Sequence, residues 1–173
     1  MAAKASAANG AEKPMTAYQD LPLEEKFTRV LSLVPQQKPF RFVDRIIEVD
    51  EQRIVGQYTF REDEWFYRGH FPGNPVTPGV VLVECMAQIG LVAFAMHLKL
   101  SAGQDPSEYV TLFQETQVEF LKTVLPGDTV TVKAEQIYWR RGKLKAKIDL
   151  YLPGEVLAAS GTMAGMGVKS SNA

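Results

Sequence analysis

Apolar residues recur along the chain with two different periods. Leu23, Phe27, Val30, Leu31 and Val34 fall at helical spacing behind a helix start at Asp20 and Pro22, and Pro35 and Pro39 close that segment. Phe40–Val49 and Arg53–Phe60 are β-rich runs separated by the polar turn Asp50-Glu51-Gln52. Glu62 to Pro78 follows neither period. Gly69, Pro72, Gly73, Pro75 and Pro78 predict an irregular loop stiffened by restricted φ angles. From Pro78 to about Leu100 apolar residues occupy every face, which predicts a helix buried on all sides. Ser101–Glu108 is polar. Four strand-like runs then follow, Val110–Leu121, Thr129–Trp139, Leu144–Leu152 and Val156–Val168, with turns at Pro126-Gly127-Asp128, at Arg140-Arg141-Gly142-Lys143 and at Pro153-Gly154.

Two strands, one long helix and about four strands do not alternate β with α, an order that fits an antiparallel sheet around one helix better than a doubly wound parallel sheet. The expectation is an α+β fold in which an antiparallel sheet wraps one long central apolar helix. A chain of 173 residues makes one domain. We place it at 21–168, between an N-terminal tail over 1–20, small and polar and read as disordered, and a short C-terminal tail over 169–173. The apolar run Val80–Met96 holds Glu84 and Gln88, and a central carboxylate disfavours a membrane span. No apolar run of secretory-signal type opens the chain, so the cytoplasm is the expected location. Lys and Arg number 19 against 20 Asp and Glu, which leaves no overall field for nucleic acid. The alternating Lys143, Lys145 and Lys147 read as the solvated face of a strand, with at most a part in steering an acidic partner. The single cysteine, Cys85, precludes an internal disulfide and paired-cysteine zinc sites, and it reads as a small core residue.

Three features carry chemistry. His70 sits in the stiffest turn of the chain, where a side chain can be held in one place. Thr77-Pro78-Gly79 is a helix start, and the Gly79 N–H, without a side chain to cover it, can approach a ligand oxygen at the positive end of the helix dipole. Glu84 interrupts an apolar helix, with Gln88 four residues on as a hydrogen-bonding partner on the same face. A buried carboxyl tends to its neutral form, which can donate a proton. His97, near the end of this helix, is expected to interact with its dipole and to have no catalytic role.

Gly69-His70-Phe71-Pro72-Gly73-Asn74-Pro75-Val76-Thr77-Pro78-Gly79, followed by Glu84-Cys85-Met86-Ala87-Gln88, resembles the signature of the 3-hydroxyacyl-acyl-carrier-protein dehydratases of the FabZ/FabA type. Pro39-Phe40-Arg41-Phe42-Val43-Asp44-Arg45 resembles that family's first strand, and Phe120 through Asp128 a later strand and turn. The resemblance implies a hotdog fold and the dehydration of a (3R)-3-hydroxyacyl thioester to the trans-2-enoyl thioester, with no cofactor and no metal. It implies acyl carrier protein as the partner that brings the substrate, and a homodimer, or a trimer of dimers, with shared active sites. His70 and Glu84 take the catalytic positions, with Gly79 as backbone donor and Gln88 supporting the acid. Glutamate at 84 is the FabZ-like choice, since the isomerising FabA-like branch has aspartate there. Thr123 stands where the family usually has proline, and the gating tyrosine has no counterpart at its usual place. Tyr109 and Phe113 are the nearby candidates for the tunnel, with Phe71 and Val80. Two other readings are a hotdog thioesterase, whose helix carboxylate activates water, and a silent acyl-binding module. The histidine in the full loop argues against the first, and the presence of both His70 and Glu84 against the second.

Overall fold

The computed structural model describes residues 17–169. Helix α1 spans Leu23–Leu33 and turns Val30 into the core. Strands β1 (Arg45–Val49) and β2 (Arg53–Thr59) form a hairpin. Helix α2 runs from Gly79 to Ser101. Strands β3 (Tyr109–Phe120), β4 (Thr129–Arg140), β5 (Lys143–Leu152) and β6 (Val156–Lys169) follow. The six strands among the described residues form one sheet in the order β1-β2-β4-β5-β6-β3, every pair antiparallel.

The sheet closes on α2 because its strands alternate. Leu144, Ala146, Ile148 and Leu150 on β5 are fully buried or nearly so, and Val130, Val132 and Ala134 on β4 join them. The intervening Lys143, Lys145 and Lys147 face outward, as their spacing predicts, and the first two pair with Glu115. Helix and sheet approach closely at Gly90, where an added methyl would lie 2.5 Å from Ile148 Cδ1 and 3.0 Å from Ala134 Cβ. The expected hotdog architecture is therefore the one the chain adopts.

Four local expectations change. The first strand begins at Arg45, not Phe40, because the backbone at 40 and 42 bonds a side chain of α2 rather than a neighbouring strand. Helix α2 is not regular: its middle, Gln88–Ala93, is π-helical between two α-helical stretches. Nor is it buried on all sides. Val80 is 79% exposed, and Val83 and Glu84 are only partly buried, so the first two turns present an open stripe at i, i+3 and i+4. Finally, Tyr18–Asp20 forms a 3₁₀ turn tied to the end of α2, whereas the remainder of the expected N-terminal tail, 1–16, lies outside the described residues.

That tie runs through His97. The Tyr18 hydroxyl lies 2.7 Å from His97 Nδ1, and Gln19 Nε2 donates to the Ser101 carbonyl. Burial pushes the imidazole down to about 4, and the Lys26 ammonium pushes the same way. The expected attraction between a protonated His97 and the helix dipole is thus outweighed by desolvation.

Candidate active site

Residues 65–79 build the site around one loop. Trp65–Arg68 forms a 3₁₀ turn whose Phe66 carbonyl accepts the His70 backbone N–H at 3.0 Å. On the return of the loop, the Val76 N–H donates to the His70 carbonyl at 3.0 Å, and His70 Nδ1 lies 2.9 Å from the Val76 carbonyl oxygen. A carbonyl can only accept, so Nδ1 carries a proton, and the neutral tautomer compatible with this bond has its lone pair on Nε2. The Phe71 ring stacks on the imidazole at 4.1 Å.

Val81 and Leu82 make the first helical bonds of α2, both to the Pro78 carbonyl, so the Gly79 N–H precedes the ladder at the positive end of the helix. His70 and Gly79 line the same two clefts, one with Thr77, Lys122 and Val124, the other with Val80, Val83 and Gln117. Phe120 walls both. Its ring occupies the space beside Gly79, where a methyl group would lie 3.0 Å from Cζ. Glycine here therefore serves two ends: an uncovered N–H and room for an aromatic wall.

Gln88 is fully buried and fully used. Its Oε1 accepts the Phe42 N–H at 2.7 Å, while Nε2 donates to the Phe40 carbonyl at 2.8 Å and to Glu84 Oε1 at 2.9 Å. Phe42 N–H can only donate and Phe40 C=O can only accept, so the amide orientation is forced. Glu84 Oε1 is thereby fixed as an acceptor, and Oε2 is the oxygen free of that bond. Glu84 lines neither His70 cleft.

Within one chain the expected residues thus form two groups: His70, Phe71, Gly79 and Val80 in one, Glu84 and Gln88 in the other. Tyr109 and Phe113 join neither. Tyr109 pairs with Lys169 at the end of β3 away from Phe120, roughly 35 Å along the strand. Lys99 Nζ caps its ring at 3.6 Å. Sequence reasoning missed Phe120 as the wall of the clefts and the buried hydrogen bond between the Tyr67 hydroxyl and Thr77 Oγ1 at 2.6 Å. The second had a faint signal in two hydroxyl residues flanking the stiff loop.

A model of the FabA-like domain matches residues 34–160, which holds the whole site. The 3-hydroxyacyl-[acyl-carrier-protein] dehydratase FabZ of Caldicellulosiruptor saccharolyticus is 40% identical over 131 residues, covering 75% of this chain and 90% of that one. The FabZ of Moorella thermoacetica is 36% identical over 141 residues, with 78% and 90% covered. Among solved structures, the dehydratase heterocomplex ApeI:P of Xenorhabdus doucetiae superposes with a TM-score of 0.69 at 13% identity, covering 83% of this chain and 93% of that one, which shows the shared fold. With a loop histidine, a helix carboxylate and this family match over one continuous domain, the chain belongs to the FabA-like family, as a dehydratase of the FabZ type.

Proposed function

We propose that the chain removes water from (3R)-3-hydroxyacyl thioesters on acyl carrier protein, giving trans-2-enoyl thioesters for fatty-acid synthesis or a related pathway in the cytoplasm. The observation that carries this reading is the fixed His70 ring, with Nδ1–H spent on Val76 and a lone pair on Nε2, beside the Gly79 N–H in one cleft. Nε2 takes the C2 proton. The negative charge that develops on the thioester oxygen is met by the Gly79 N–H and the helix dipole. The Glu84 carboxyl gives its Oε2 proton to the C3 hydroxyl, the C3–O bond breaks, and water leaves as the C2–C3 double bond forms. The proton on His70 then returns to Glu84, which restores both groups. The chain's own residues supply base, acid and oxyanion donor.

Because Glu84 and His70 do not share a cleft in one chain, the reading requires a second copy. Strand β3 supports this: among the described residues its one partner strand is β6, it exposes Leu112, Phe113 and Phe120, and its Thr116–Val118 stretch lines a cleft together with Val80 and Val83 of the open stripe of α2. Long exposed strand edges pair readily. Antiparallel pairing of two β3 edges about a two-fold would carry the partner's chain to the His70 clefts and cover Val80. It would also reverse the strand direction, turning the partner's Tyr109 end of β3 toward this chain's Phe120 end. For the carrier protein, Arg140 and Arg141 on the β4–β5 turn are exposed, and among the described residues neither has an ion-pair partner. They are suited to steer an acidic surface.

Incubation with 3-hydroxyacyl-carrier-protein substrates of several chain lengths, followed by mass spectrometry, tests the reaction. Loss of one water with the thioester intact supports it. Release of the free carrier thiol would instead indicate a thioesterase, and an unchanged substrate at all lengths a silent acyl-binding module.

A further inference from the structure

Tyr67 and Thr77 lie on either side of the loop that carries His70, and both are buried, at 6% and 4% exposure. Their hydroxyls meet at 2.6 Å. The residue before Tyr67 is Phe66, whose carbonyl holds the His70 backbone N–H. The residue before Thr77 is Val76, whose carbonyl holds the His70 ring. Thr77 is also anchored through its own N–H to the Val124 carbonyl at 2.9 Å, and it is followed by Pro78 and the Gly79 donor. One hydroxyl pair therefore joins the incoming strand of the loop, its outgoing strand and the start of α2.

We infer that Tyr67 and Thr77 are positioning residues, a clamp that sets the His70 imidazole against the Gly79 N–H at the distance the reaction needs. Neither hydroxyl touches the reacting atoms; both act through the Phe66 and Val76 carbonyls. Packing alone does not call for hydroxyls at these positions, since phenylalanine and valine would fill the same space. A buried O–H···O pair adds only modest net stability, but it is directional, and it fixes the relative placement of the two segments it joins. A misplacement of about 1 Å between catalytic groups can cost on the order of 10²-fold in rate. The inference rests on the assignment of His70 as the base.

Kinetics and thermal unfolding of four variants test it: Tyr67→Phe, Thr77→Val, Thr77→Ser and the double variant Tyr67→Phe/Thr77→Val. Each single hydroxyl deletion should lower kcat by on the order of 10-fold with KM unchanged. Thr77→Ser keeps the hydroxyl and should remain near wild type. In the double variant no buried hydroxyl is left unpaired, so its melting temperature should recover toward wild type while kcat stays low. A kcat within twofold of wild type in either single deletion overturns the clamp, as does a double variant that regains activity together with stability. His70→Ala separates the two levels: full activity there defeats the base assignment itself, whereas an inactive His70→Ala beside fully active clamp variants defeats only the clamp.

Discussion

At the scale of single residues, the site depends on groups whose hydrogen-bonding capacity is already committed. His70 gives Nδ1–H to Val76 and Gln88 spends its whole amide, so each leaves one defined atom for chemistry, Nε2 on the histidine and Oε2 on Glu84. Removing either group should remove acid–base catalysis without unfolding the chain. We expect His70→Ala and Glu84→Gln each to lower kcat by at least about 10²-fold, with circular dichroism and thermal melting close to wild type. Glu84→Asp keeps the acid but withdraws it by one methylene, out of reach of Gln88 and of the substrate hydroxyl; steady-state assays should show a substantial loss of dehydration, because reach precedes pKa in proton transfer. A wild-type rate in this aspartate variant would contradict the assigned role. The loop histidine and the Glu84–Gln88 pair were legible in the sequence, being local features at i and i+4. The bonds from Gln88 to Phe40 and Phe42 were not, since they join positions more than 40 residues apart.

At the scale of elements, the periodicities located both helices and every strand among the described residues, and the differences arise where tertiary contacts act. Where the Gln88 side chain of α2 takes the Phe40 carbonyl and the Phe42 N–H, propensity yields to tertiary contact, so the regular pairing of β1 starts only at Arg45. The π-helical stretch begins at Gln88 itself, and apolar periodicity carries no mark of it, because every residue from Gln88 to Ala93 is buried. Within that stretch Gly90 lets the helix rest on β4 and β5. Gly90→Ala should push Ile148 and Ala134 aside and destabilise the fold by about 1–3 kcal/mol, the usual range for an overpacked core, measured by denaturant unfolding. Unchanged stability would mean that helix and sheet do not approach as closely as described. The end of the same helix gives a pH dependence. His97 is held near 4 in the folded chain against an ordinary value of 6.5, so the unfolded chain binds more protons between those limits. Stability should therefore be full above about pH 6.5 and fall as pH drops toward 4, by on the order of 2–3 kcal/mol from this residue. His97→Gln should flatten that part of the stability curve, and an unaltered slope in the variant would show that His97 is not its source.

At the scale of the whole molecule, one chain holds the proposed base, acid and backbone donor but does not bring Glu84 into the clefts lined by His70 and Gly79. The sequence marks His70 and Glu84 as the candidates for the chemistry. It holds no local signal that Val80, Val83 and Glu84 face outward, since an all-apolar helix reads the same whether a sheet or a second copy covers its last face. The free edge of β3 and the exposed start of α2 supply that signal in the fold. Mixing His70→Ala with Glu84→Gln subunits tests the shared site most directly. Each variant alone is expected to be inactive. In a hybrid dimer one site combines both lesions, while the other combines the intact His70 of one chain with the intact Glu84 of its copy. After refolding together at equal amounts, random pairing should restore about a quarter of wild-type activity. A mixture that stays inactive while native mass spectrometry shows hybrid dimers would contradict the shared site.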